Sequence, residues 1–227
     1  AAMWNSMRAG RYEFFLVVLC VSSFNLFLRA SRWRVLLSAE KNVPVWTVFS
    51  SNNLGYFGNY FLPARAGELI RSAVVGRMSG TGTSYALATA LTERVMDAVL
   101  LVLISITAII SLHNLPDVLI TATRTMAVVG FIGLAGILMA PRLEKQIKWV
   151  VNKIPLPEGI KQSLISFLER FLLGMHSLQN PGRLLGFLGF SALIWTIDAF
   201  SVIMVCSAFN ISVSIALAFI ILAALGL

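Results

Sequence analysis

The stretch FFLVVLCVSSFNLFL, residues 14–28, carries no formal charge, and apolar runs of the same kind return at 98–112, 125–140, 184–209 and near Leu227. A helix crossing a ~30 Å hydrocarbon core needs about 20 residues at ~1.5 Å each. The first run is short, but Arg29 and Arg32 can snorkel at its end, which predicts a span over about 13–37. Ala98–Leu112 covers only ~22 Å at the helical rise. The long helix that starts near Tyr85 must therefore bring TERVMD, residues 92–97, to the edge of the core or into it. Only 12% of the chain is charged, against about 25% in a soluble domain, and the deficit is spread along its length. The pattern predicts an all-α polytopic transmembrane helical bundle, a single domain over 1–227.

Residues 43–62 do not fit an ordinary span. They hold no charge, but they include Ser50, Ser51, Asn52, Asn53, Gly55, Gly58 and Asn59. Irregular backbone at membrane depth survives only where protein buries it or water reaches it. A re-entrant or broken helix pair near 43–77 is expected, with a polar-lined span inside a bundle as the alternative. Residues 141–183 mix charges with Ile, Trp, Leu and Phe at helical spacing. They predict amphipathic helices broken at Pro155 and Pro157, lying on the cytoplasmic membrane surface or forming a helical hairpin. Basic residues crowd into 29–41, 63–77 and 141–183, whereas 113–124 holds only Arg124. The positive-inside rule puts the first three in the cytoplasm. Both flanks of 43–62 then lie on one side, as a re-entrant hairpin requires.

The net charge of +8 sits in loops between apolar runs, so anionic lipid headgroups are the expected partners and nucleic acid is not. No metal site, cofactor or catalytic residue is indicated. Cys20 and Cys206 lie in apolar runs, and His113 and His176 stand apart from other ligands. The ATP-cradling GxxxxGK[ST] loop is missing. No secretory leader is recognisable, and the apolar ending LAFIILAALGL suggests a fragment.

Charge concentrates in NYFLPARAGELIRSAVVGR, residues 59–77. Pro63 suits the first turn of a helix running into Val75. Arg65, Glu68 and Arg71 then recur on roughly one face. A helix N-terminus with two guanidiniums suits phosphate. Glu68 would orient the arginines or receive a cationic headgroup. Glu93, Arg94 and Asp97 form a second cluster, either an interfacial Arg94–Asp97 pair or part of one polar cavity with the first. Asp198 lies mid-span, either a headgroup contact or a buried hydrogen-bond partner of Ser, Thr or Trp195.

The string NNLGYFGNYFLPARAGELIR, followed by ERVMD, resembles the membrane region of lysylphosphatidylglycerol synthases and stand-alone flippase-like proteins. Its motif falls here on Pro63, Arg65, Gly67, Glu68, Arg71, Arg94 and Asp97; the Asn-rich segment carries Asn53 and Asn59. RASRWRVLL matches the basic end of an early span. A preceding span and a PGG-x-G-x-E-like stretch of that family are missing, again as in a fragment. The resemblance implies a multi-pass protein of a prokaryotic cytoplasmic membrane that flips an aminoacylated phospholipid or a polyprenyl-phosphate sugar, with no aminoacyltransferase domain. The lipid-binding residues would be those named, with Glu93 and Asp198. A membrane enzyme acting on a lipid-linked substrate, or a partner-binding subunit, is the alternative, and a homo-oligomer is compatible with either.

Overall fold

The computed structural model describes residues 13–63, 66–111, 121, 124–125, 128, 131–132, 135–136, 139, 145–146, 148–154 and 157–225. Its elements are α1 (Glu13–Leu37), α2 (Val45–Phe61), α3 (Gly67–Ser79), α4 (Thr83–Ser111), α5 (Glu158–Met175), a 3-10 turn (His176–Gln179), α6 (Pro181–Ala208) and α7 (Ile215–Leu225). No strand occurs among the described residues, so the all-α expectation holds. Helix α1 begins and ends where the apolar run and its basic end predict. Both α1 and α6 are long and apolar enough to cross a membrane, and only 17% of each apolar window is buried. Helices in a soluble core would be mostly covered. These instead present Leu16, Leu19, Phe24, Leu185, Leu193 and Phe200 outward, as lipid-facing spans do.

The chain divides into two compact units: 1–29 with 97–131 and 191–227, and 30–96 with 132–190. In the first, Phe15 and Phe209 meet edge to face at 6.0 Å. The second is built around fully buried Trp33, Leu36, Leu37, Val48, Val75, Tyr85 and Phe187. The Tyr85 hydroxyl donates to the Leu36 and Leu37 carbonyls at 3.2 and 3.4 Å, at the end of α1. Burial, reinforced by the charge of Glu40, pushes its phenol up to about 12.

Residues 45–61 form one continuous helix, so the expected break does not fall inside them. It falls between α2 and α3, which form a helical hairpin. At 17 and 13 residues, the arms span about 25 and 20 Å at the helical rise, and neither alone crosses a ~30 Å core. Glycine lets the arms touch: a Cβ on Gly67 would lie 1.9 Å from the Gly55 carbonyl, and one on Gly58 would lie 2.6 Å from Ile70. Pairing runs from Gly58–Ile70 to Gly55–Arg71, so the arms are antiparallel. Helix α3 starts at Gly67 rather than at Pro63. Asn59 Oδ1 accepts the Gly67 N–H at 2.8 Å, which fixes the first turn four residues after the proline. After α3 the chain reverses through Gly80 and Gly82, both at positive φ, a conformation that glycine adopts without a Cβ clash. Lys41 Nζ donates to the Ser79 carbonyl at 2.8 Å there. Farther along, Pro157 leads into α5, which agrees with the predicted break; Pro155 lies outside the described residues.

Candidate functional site

Asn52 and Gly55 lie three residues apart on the buried face of α2, and the close approach at Gly55 brings Arg71 of α3 against them. Arg71 is buried, and its guanidinium is held on every side. Nη1 donates to Asn52 Oδ1 at 3.0 Å, Nη2 to Glu93 Oε2 at 3.1 Å, and Nε to Glu68 Oε2 at 2.5 Å. The Trp33 ring lies 4.4 Å beneath it, a cation–π contact that fixes the plane of the fork. Trp33 is itself anchored, its Nε1 donating to Thr89 Oγ1 at 3.1 Å.

Glu93 is the hub. Its Oε1 accepts Arg32 Nε at 3.1 Å and Arg32 Nη2 at 2.8 Å, while Oε2 takes Arg71. The Arg32–Glu93–Arg71 triad is almost wholly buried, each side chain 2–3% exposed. Arg32 also stacks 5.1 Å over Phe187. At the open edge, Glu68 Oε1 accepts Arg94 Nε at 2.9 Å and also binds Arg94 Nη2. Arg94 and Glu68 are 42% and 24% exposed, so the network runs from a sealed interior to an accessible rim. Among the described residues, its three guanidiniums and two carboxylates sum to one positive charge. Asn52 Nδ2 is buried and has no partner among the described residues.

Of the residues singled out from sequence, Glu68, Arg71, Glu93 and Arg94 converge here. Asn53 does not. It turns to the other side of α2, into a hollow of about 620 Å³ with Phe49, Ser50, Leu54 and Phe57, and Asn52 takes the place expected of it. Asn59 and Gly67 hold the hairpin turn, and Pro63 is exposed beside it. Arg65 lies outside the described residues. Asp97 is buried, in the first unit.

Arg32 was expected only as a snorkelling flank. It is instead among the most deeply buried side chains. Asp198 is not a hydrogen-bond partner of Trp195, whose Nε1 is buried without a partner among the described residues. Within the first unit, Asp198 accepts Asn25 Nδ2 at 2.5 Å and Arg29 Nη2 at 2.6 Å, both from α1.

Compared with known families, residues 1–227 match the one described as lysylphosphatidylglycerol synthase TM region. The chain belongs to that family. No curated protein and no solved structure matches it. As a lysylphosphatidylglycerol synthase TM region, it is a helical membrane protein of a family tied to lipid handling.

Proposed function

We propose that the protein binds a phosphate-bearing lipid at the Arg71–Arg94 rim and carries its headgroup across the bilayer. The observation behind this reading is the buried triad opening onto an exposed Arg94–Glu68 pair. Taking two guanidiniums out of water costs several kcal/mol each, and well-packed apolar side chains often stabilise a fold as well or better. A structural bundle therefore gains little from burying these charges, whereas a headgroup site uses Arg71 directly. Arginine's planar fork matches phosphate oxygens in pairs, and the surplus positive charge favours an anion. The α2–α3 hairpin would enter the membrane as a re-entrant pair with its basic ends on the cytoplasmic side, placing Arg71 where a headgroup leaves the interface. An aminoacylated phospholipid and a polyprenyl-phosphate sugar both carry the required group.

The test is reconstitution of the full chain in liposomes with a fluorescent phospholipid and an external quencher. Wild type moves the probe between leaflets, and Arg94→Ala, at the exposed rim where folding is least at stake, slows it at least tenfold. No movement by the wild type, or undiminished movement in both Arg94→Ala and Arg71→Ala, refutes the reading. Conversion of the labelled lipid into a new product would point to an enzyme instead.

A further inference from the structure

Glu68 sits where an anion would. Its two oxygens bridge two guanidiniums, Oε2 on Arg71 Nε at 2.5 Å and Oε1 on Arg94 Nε at 2.9 Å, much as two oxygens of a phosphate would. The rest of Arg71 does not depend on Glu68, because Asn52, Glu93 and Trp33 hold it. The carboxylate hangs from the first turn of α3 on a flexible side chain and is 24% exposed. It can swing out without unwinding the helix. The same Asn52 amide that accepts from Arg71 carries a buried Nδ2–H donor with no partner among the described residues. A donor so placed costs free energy until an oxygen reaches it.

Resting on the lipid-binding reading, we infer that Glu68 is a built-in stand-in for the ligand's phosphate: it occupies the Arg71–Arg94 seat at rest, and a bound phosphate displaces it. The exchange trades one anion for another, so the arginines never face an uncompensated charge. It also makes the site selective. An incoming group must outcompete a carboxylate that is already in place, so a weakly coordinating anion does not enter. Apparent affinity falls by the fraction of molecules with the seat open, so a carboxylate seated about nine times in ten weakens binding about tenfold.

Calorimetric titration of the detergent-solubilised full chain tests this, with glycerol 3-phosphate in one arm and dihexanoyl phosphatidylglycerol in the other. The two arms separate a free phosphate from a lipid headgroup as the source of the anion. Glu68→Ala is expected to bind about tenfold tighter than wild type, and Glu68→Gln serves should the alanine variant not fold. Loss of a charge alone would also tighten binding, so acetate is the deciding reagent. In Glu68→Ala, acetate refills the vacated seat and competes saturably with phosphate, whereas wild type is insensitive to it. Unchanged or weaker phosphate binding in the variants, or no competition by acetate, overturns the exchange. Tightening with acetate competition but without lipid movement in liposomes would leave the exchange standing and sink the transport reading. Transport by the wild type without tightening would do the reverse.

Discussion

Replacing Glu93 by glutamine keeps its shape and removes its charge, which isolates the role of the hub. Glu93 receives three charge-assisted hydrogen bonds, at 3.1, 2.8 and 3.1 Å, from two nearly inaccessible guanidiniums. The amide has one oxygen to offer where the carboxylate has two, and it turns an N–H donor toward a cation. Removing one member of a buried ion pair costs about 3–5 kcal/mol, chiefly because the other is left uncompensated. Arg32→Met should cost less, about 1–3 kcal/mol, since Glu93 keeps Arg71 and loses only the Arg32 bonds. The double variant should be milder than the sum by about 1–2 kcal/mol, the coupling typical of groups in one network. Unfolding in mixed micelles of mild detergent and dodecyl sulfate, followed by tryptophan fluorescence, gives these three values. Glu93→Gln costing under about 1 kcal/mol, or strict additivity, would mean the triad is solvated, and the argument from buried charge would fail.

Gly67→Ala should unseat the hairpin, since its Cβ would stand 1.9 Å from the Gly55 carbonyl and 2.5 Å from Asn59 Oδ1. A loss of at least about 1–3 kcal/mol is expected from the overpacking, whereas Gly189→Ala, with nothing within 4 Å, should be neutral or slightly stabilising in the same assay. Gly174→Ala should loosen α5 from α4, its Cβ falling 2.6 Å from that of Ala88; faster proteolysis in 158–175 would show it. Arg29→Leu or Asp198→Leu alone should lower the unfolding midpoint, and the pair together should recover part of the loss, because the half-covered Arg29–Asp198 contact at 2.6 Å leaves a charge stranded when halved. An equal or greater loss in the double variant would show that the contact contributes nothing.

Much of the fold was visible in the order of the residues. Length and lack of charge located α1 and α6, because a helix that crosses hydrocarbon must hold a long uncharged run. Charge in an apolar background also marked Glu68, Arg71, Glu93 and Arg94. Arg32 escaped notice because an arginine at the end of a span looks the same whether it reaches for headgroups or for a carboxylate 61 residues away. Asn52 was passed over for Asn53 because adjacent asparagines differ only by the rotation of α2, which the glycine contacts set. The spacing Asn52, Gly55, Gly58 or Asn59 marks that face at three- and four-residue intervals and would have selected the right one. The start of α3 could not be placed from Pro63, since the deciding bond, Asn59 to the Gly67 N–H, closes across the hairpin itself.

The long separation between Arg32 and Glu93 also governs how the protein is made. The segment bearing Arg32 leaves the ribosome well before the carboxylate that will compensate it. Near the end of a membrane helix, where Arg32 lies, a lone arginine snorkels to the interface. Arg32 can therefore stay hydrated at the aqueous boundary until α4 arrives and lets it settle.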